Sequence, residues 1–246
     1  MSKLNWLFLF LLTALLASGC YFDDDDSNDG FLDCESGQGG IITEELNLND
    51  FNSIELRINA EVRITQGSPQ RVVVEGQENI IDLIELDVQN DNWEIEFDRC
   101  VRRSEDLKFF ITIPDIRSLH VSGSGLIFGE NTFVSEDLIL RISGSGDIDL
   151  AVDTEDIDSR ISGSGRVILE GNCEEFEFKV SGSGDYEAFG LQALEGEVDI
   201  SGSGDADVRV EEILDVDISG SGDVRYKGRP ILNVNISGSG RVIDAN

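Results

Sequence analysis

The sequence predicts an all-β protein whose main body is a right-handed parallel β-helix, or β-solenoid, of about 18–21 residues per coil. Two observations support this prediction. A Ser-Gly-Ser-Gly motif recurs seven times at nearly constant spacing, and apolar and polar residues alternate on both sides of each copy. Alternation with a period of two is the pattern of a half-buried strand. A third observation, an apolar N-terminal segment that ends at a cysteine, predicts a processed leader in front of this body.

Residues 1–19 have the features of a lipoprotein signal peptide. Lys3 precedes an apolar run that is closed by Ala17-Ser18-Gly19-Cys20. The run is shorter than the roughly 20 residues that a membrane-spanning helix needs, as expected for a cleaved signal. Its last four residues resemble the lipobox of bacterial lipoproteins, which predicts lipidation of Cys20 and attachment to a membrane. An ordinary secretory signal with an incidental cysteine is the alternative.

Residues 20–40 are predicted to form a lipidated acidic tether. Residues 23–26 are four consecutive aspartates, and this tract has too few apolar side chains to fold by itself. An acidic run after the lipidated cysteine also resembles the export signal of some Bacteroidetes lipoproteins, with a solvated spacer as the alternative. We therefore expect an outer-membrane lipoprotein of the cell envelope, on the cell surface or on the periplasmic face.

The charge balance restricts the partners of the chain. Fifty acidic residues against 18 basic residues give a formal charge of -32. This charge repels nucleic acid and anionic lipid, so no nucleic-acid partner is expected, whereas cations are natural small partners.

The remaining cysteines allow a disulfide. An oxidising envelope permits a bond between Cys34 and Cys100, which would link the N-terminal tract to the first sheet, although the sequence does not fix this pairing. Cys173 is left over. The chain has no CxxC pattern and a single histidine, His120, so no zinc site is expected.

Residues 41–246 are predicted to form a single solenoid domain, with irregular coils over 41–119 and seven repeats over 120–246. A unit of about 19 residues has little core of its own and must stack on its neighbours. Glycine suits the tight corner between strands, and parallel crossovers are almost always right-handed. The motif starts at Ser122, Ser143, Ser162, Ser181, Ser201, Ser219 and Ser237.

The alternation assigns a direction to each side chain near the corners. Each repeat is expected to supply two half-buried strands joined through the glycine-rich corner, with inward columns of stacked apolar residues. The column directly before the motif is Val121, Ile142, Ile161, Val180, Ile200, Ile218 and Ile236, and the column two residues earlier is Leu119, Leu140, Ser159, Phe178, Val198, Val216 and Val234. Residues 41–119 also alternate, so we expect them to continue the same sheets and to cap the N-terminal end.

The residues that follow each motif form a further column, which we call the corner ladder: Leu126, Asp147, Arg166, Asp185, Asp205, Asp223 and Arg241. Carboxylates stacked about 4.8 Å apart repel by about 0.9 kcal/mol per contact in water. Calcium bound weakly along Asp147, Asp185, Asp205 and Asp223 would remove this cost, with Asp149 and Asp207 as additional ligands. A solvated, screened acidic row without metal is the favoured alternative. If the repulsion is real, exchanging Asp185, Asp205 and Asp223 for asparagine stabilises the calcium-free protein.

Several segments together resemble the putative auto-transporter adhesin head domain family (the GIN-type head domain) of bacterial envelope proteins. The resemblance spans roughly residues 40–243 and rests on residues 50–54, 62–67, 72–76 and 114–116 and on the repeated Val-Ser-Gly-Ser-Gly. It implies a β-helical envelope domain that acts in adhesion or surface interaction. It implies no catalytic residues.

We expect a non-catalytic, adhesin-like surface module that binds a surface protein or glycan. The alternatives are a periplasmic structural or stress-related protein and a β-helical polysaccharide-processing enzyme. Basic residues are sparse, so the column Arg141, Arg160 and Lys179 beside the column Asp158, Glu177, Glu197 and Asp215 predicts surface ion pairs. His120 is expected to be an edge residue and Trp93 a core residue.

The C-terminal end predicts self-association. The last repeat stops at residues 241–246 with no segment left to cover the final coil, and an open sheet edge invites pairing. Arg241 and Asp244 are the charges available to blunt this edge. A homo-oligomer is therefore one expected state.

Overall fold

The structure is a computed structural model that describes residues 34–246. The predicted signal peptide and the predicted lipidation of Cys20 lie outside the described residues. Within residues 34–246 the regular structure is β-strand apart from one helix of four residues, α1 (Glu78–Ile81). No helix of this part is long and apolar enough to cross a membrane.

The N-terminal part consists of ten short strands. They are β1 (Glu35–Ser36), β2 (Ile41–Leu46), β3 (Ser53–Leu56), β4 (Glu61–Gln66), β5 (Arg71–Gln77), β6 (Val88–Gln89), β7 (Asn92–Ile95), β8 (Val101–Arg103), β9 (Lys108–Ile113) and β10 (Ser118–Val121). The repeats follow as long bent strands and a shorter last coil. These are β11 (Leu126–Gly144), β12 (Asp147–Gly163), β13 (Arg166–Gly182), β14 (Asp185–Gly202), β15 (Ala206–Gly220), β16 (Asp223–Lys227), β17 (Ile231–Gly238) and β18 (Arg241–Asp244).

The repeats form the predicted parallel β-helix. Strands β11 to β15 pair in parallel with their neighbours, and equivalent residues of the repeats lie side by side, as Ile161 does with Val180 and Val180 with Ile200. Each coil is one nearly continuous ladder from corner to corner, where the sequence predicted two separate strands. In β12 the alternation shifts phase at the two exposed residues Glu155 and Asp156, so the ladder bends there without a shift of register.

The N-terminal coils continue the same sheets, but they do not stack in chain order. Strand β3 lies between β7 and β10, and β4 lies between β9 and β11. The layer built from residues 53–66 is therefore inserted between residues 92–113 and the first repeat. Beyond β9 the direction changes, because β5 and β2 pair antiparallel and close this end of the stack.

Residues 34–40, which the sequence assigned to the tether, contact this N-terminal end. Strand β1 pairs with β8, and Cys34 and Cys100 form a disulfide over a separation of 66 residues. The described body thus starts at Cys34.

The apolar columns form a continuous core in every coil except the last. Ile200 and Ile218 are 1% and 2% exposed, whereas Ile236 of the same column is 40% exposed. The expected burial of Ile236 and Val234 is wrong, because no further coil covers them within the described residues. Ser159 is the polar member of a core column, and its buried hydroxyl accepts a hydrogen bond from Tyr186 Oη at 3.0 Å.

Candidate interaction surface

The Ser-Gly-Ser-Gly corners stack in direct backbone contact. Gly202 has a φ of +143°, and a Cβ atom placed on it would lie 2.1 Å from the carbonyl oxygen of Gly182 in the coil below. Next to it, the N–H of Ser203 donates a hydrogen bond of 2.8 Å to that same oxygen. Glycine is required here because other residues disfavour this backbone conformation and would collide with the neighbouring coil. The corner geometry therefore explains why the motif recurs.

The corner ladder is held together by its own carboxylates. The backbone N–H of Asp205 donates to Asp185 Oδ1 at 2.9 Å, and the N–H of Asp223 donates to Asp205 Oδ1 at 2.8 Å. At the end of the ladder Arg241 binds Asp223, with 3.2 Å between Nε and Oδ1, and this guanidinium lowers the pKa of Asp223. Arg166 pairs with Asp147 at 3.2 Å.

This arrangement differs from the row of repelling carboxylates that the sequence suggested. Each acidic side chain points along the stack at an amide of the next coil, or at an arginine, so the oxygens do not converge on a common point. Among residues 34–246, no group of three or more Asp, Glu, His or Cys side chains is arranged to hold a metal ion. Calcium binding by Asp147, Asp185, Asp205 and Asp223 thus stays a prediction without a preformed site.

The two additional candidate ligands lie on the outward column next to the ladder. Arg225 Nε is 2.5 Å from Asp207 Oδ1. Burial raises the pKa of Asp207, and Arg225 opposes that rise. Burial also raises the pKa of Asp149, with a further contribution from the nearby Glu170. Asp207 is the ion-pair partner of Arg225, and Asp149 lies near Arg166, which opposes the rise of its pKa.

On the face before the corners, the middle coils carry the predicted ion pairs. Arg141 Nη2 lies 2.5 Å from Asp158 Oδ2, and Lys179 contacts both Glu177 and Asp199. These side chains are partly exposed, so each pair contributes at most about 1 kcal/mol. Their main effect is to neutralise the charge of this part of the face.

Toward the C-terminal end the same face carries only acidic and amide side chains. We call it the acidic flank: Glu197, Asp199, Asp215, Asp217, Asn233 and Asn235. Glu197 lies beside Asp215, and Asp199 beside Asp217, in adjacent coils. Burial and the neighbouring Asp199 raise the pKa of Glu197. Asn233 and Asn235 donate hydrogen bonds of 2.6 and 2.5 Å to Asp215 and Asp217.

The sequence repeat predicts the columns of this flank. The change along the stack from ion pairs to acidic and amide side chains was not predicted from the sequence. The available signal was the exchange of basic side chains for acidic ones after Lys179, followed by asparagine in the last repeat.

Trp93, His120 and Cys173 lie at different depths in the solenoid. Trp93 is fully buried, donates from Nε1 to the carbonyl of Glu85 at 3.0 Å and packs against Phe51 and Phe109, as predicted for a core residue. His120 lies 3.2 Å from Ser143 Oγ, and burial lowers the pKa of its imidazole. The thiol of Cys173 is buried, which raises its pKa to about 12.

The fold matches solved structures along most of the chain. A putative adhesin from Bacteroides fragilis superposes with a TM-score of 0.81 at 25% identity, over 85% of this chain and 99% of that chain. A putative adhesin from Parabacteroides distasonis gives 0.70 at 22% identity, over 86% and 99% of the two chains. A putative lipid binding protein from the same organism gives 0.72 at 22% identity, over 85% and 99%.

Sequence comparison identifies the family directly. No curated protein shows significant similarity to this chain. The family model described as putative auto-transporter adhesin, head GIN domain, matches residues 50–230, which include the inserted N-terminal layer and most of the repeats. The chain therefore belongs to the putative auto-transporter adhesin, head GIN domain family.

Proposed function

We propose that this protein is a lipid-anchored module of the cell envelope that binds a partner on the flank of its solenoid, without catalysis. The acidic flank is the observation that carries the proposal. Backbone pairing of the coils fixes its side chains in register, so the surface is rigid and loses little conformational entropy on binding. The family and the similarity to the putative adhesin from B. fragilis support a role in surface interaction.

The charge of the flank defines the chemistry of the partner. Glu197, Asp215 and Asp217 are exposed and have no basic side chain opposite them in the adjacent coils. A surface protein segment rich in lysine or arginine fits this surface, because opposite charges speed the encounter and fix its orientation. A neutral glycan would gain nothing from the carboxylates beyond hydrogen bonds.

The burial of Cys173 supports a non-catalytic role. The thiol of this free cysteine is buried, which raises its pKa to about 12 and disfavours the thiolate. A cysteine nucleophile needs the opposite, a thiolate that is populated near neutral pH and accessible to a substrate.

The first test is the position of the protein in the envelope. Intact cells are treated with a protease, with and without calcium, next to cells whose outer membrane is permeabilised, and a periplasmic protein serves as the control. Cleavage on intact cells supports a surface module. Protection until permeabilisation contradicts it and favours the periplasmic structural alternative.

The second test addresses the flank itself. The triple variant Glu197→Gln/Asp215→Asn/Asp217→Asn removes three exposed charges from the acidic flank. The matched control Asp153→Asn/Glu155→Gln/Glu174→Gln removes three exposed charges elsewhere on the solenoid. Binding of the full chain to lysine-rich peptides should fall about tenfold or more in the first variant. Equal losses in both variants would show that only net charge matters and would refute a specific flank site.

A further inference from the structure

We infer that the open C-terminal coil is a homophilic contact, where a second copy of this chain binds end to end about a two-fold axis. The relevant surface is the edge formed by β17 and β18. Within the described part of the chain, strand β17 pairs only with β15, and all eight of its residues are exposed. Val234 is 46% exposed and Ile231 is 69% exposed, although Val216 in the coil below Val234 is almost fully buried.

Within the described residues, the edge has unpaired backbone groups and uncovered apolar side chains. Its backbone N–H and C=O groups on the outer side face no strand within residues 34–246, and its apolar columns end without a cover. A partner must therefore supply both a β edge and apolar side chains. A second last coil supplies both, because it carries the same columns.

The charges of the last coil differ from those of the rest of the chain. Residues 223–246 contain four basic and two acidic side chains, and two of the basic ones, Arg225 and Arg241, form ion pairs with Asp207 and Asp223. Asn233 and Asn235 stand in register with Asp215 and Asp217, so the acidic columns become neutral in the final coil.

A second copy explains the two asparagines. In a two-fold interface the same surface meets itself, so a column that ended in aspartate would bring like charges together. Asparagine carries both donors and an acceptor and can pair with another asparagine. Aspartate at these two positions would extend the cation-binding part of the flank, so the asparagines separate the last coil, as the contact with a second copy, from the acidic residues that bind a basic partner.

Head-to-tail stacking fits the structure less well. The opposite end of the body carries β5 and β2, which run antiparallel, so its outer strand, β2, is not the parallel edge that would continue the coil. Cys34 also enters the body at that end, through β1 and the bond to Cys100. A two-fold pair leaves both N-terminal ends free.

The two-fold pair has a consequence for adhesion, which rests on the lipid anchor of the proposed function. The N-terminal ends of the two copies lie at opposite ends of the pair. Copies that are anchored through their N-terminal segments then belong to two facing membranes. The contact would join neighbouring cells that carry the same protein.

The test begins with the mass of the full chain in detergent, measured by sedimentation across a concentration series. We expect a dimer that Val234→Lys/Ile236→Lys converts to monomer, because edge lysines block strand pairing. The control Val134→Lys/Leu194→Lys places the same charges on two exposed apolar positions of inner coils and should remain dimeric. A wild-type chain that is monomeric throughout, or that forms polymers without limit, overturns the two-fold contact.

A milder variant keeps the test valid if the double lysine variant misfolds, which circular dichroism would reveal. Asn233→Asp/Asn235→Asp should weaken the dimer about tenfold or more at low salt and recover it at high salt. No salt-dependent loss contradicts the inference.

Phosphatidylcholine vesicles that carry the full chain test the facing-membrane arrangement. Light scattering should show aggregation of wild-type vesicles and none with Val234→Lys/Ile236→Lys. Dispersed wild-type vesicles refute this arrangement, whatever the protease result on cells. Aggregating vesicles combined with protection on intact cells would keep the homophilic contact and reject surface display.

Discussion

The carboxylate of Asp185 accepts a hydrogen bond from the backbone N–H of Asp205 in the next coil, with 2.9 Å between Oδ1 and N. Asp205 has the same relation to Asp223 at 2.8 Å. The stacked aspartates therefore satisfy main-chain donors at the corners, where the ladder of strand hydrogen bonds is interrupted. This role offsets the like-charge repulsion that the sequence alone suggests.

Asp205→Ala should destabilise the protein by about 1 kcal/mol, because the N–H of Asp223 loses its acceptor. Asp205→Asn keeps an oxygen acceptor and removes one of three neighbouring charges, so its stability should stay within about 0.5 kcal/mol of wild type. Chemical unfolding curves of the full chain measure both values. Equal stability of the alanine and asparagine variants would show that the hydrogen bond contributes nothing.

Gly202→Ala should destabilise the protein by at least about 2 kcal/mol. The new Cβ would meet the backbone oxygen of Gly182, which cannot move without disturbing the next coil, and the φ of +143° is unfavourable for alanine. Gly40→Ala is the control, because a Cβ atom placed on Gly40 would meet no other atom within 4 Å. A thermal unfolding midpoint of Gly202→Ala equal to that of the control would contradict this account of the motif.

The buried pair Ser159 and Tyr186 gives a double-mutant prediction. Tyr186→Phe removes the donor to the buried Ser159 hydroxyl and should cost about 1–2 kcal/mol. Adding Ser159→Ala should recover part of that loss, since both polar groups are then gone. Denaturant unfolding of the four proteins in the cycle measures the coupling. Strict additivity would mean that the hydrogen bond does not contribute to stability.

Removing the disulfide should loosen the N-terminal end. Cys34→Ser/Cys100→Ser should reduce the free energy of unfolding by about 2–4 kcal/mol, because the bond closes a long loop in the unfolded chain. The control Cys173→Ser changes the free, buried cysteine and leaves the loop closed. Limited proteolysis should cut the double variant near residues 34–40 first. Unchanged resistance there would show that β1 holds this segment without the bond.

Much of the solenoid could be predicted from the sequence because a repeat exposes its own periodicity. The inward columns through Ile161, Val180 and Ile200 follow from alternation alone, and their burial confirms it. The layer order of residues 53–66 could not be predicted. Parallel strands of similar pattern can pair in several orders, and only the packing of the whole N-terminal end selects one.

The candidate interaction surfaces were also only partly predictable from the sequence. The residues of the acidic flank can be identified from the repeat. Whether an equivalent residue is buried or exposed, however, depends on whether a neighbouring coil packs over it. Ile218 and Ile236 have the same sequence context, but Ile218 is buried and Ile236 is exposed, because within residues 34–246 a neighbouring coil covers Ile218 and none covers Ile236.

The sequence by itself determined the fold class, the period of the coils and the face on which most side chains lie, since these depend on local alternation and on glycine at the corners. The tertiary structure alone decided the stacking order of the N-terminal layers, the use of ladder carboxylates as backbone acceptors and the open edge at the last coil. Those features depend on contacts between residues 18 or more positions apart. A local sequence pattern does not specify which residue of the adjacent coil a side chain contacts.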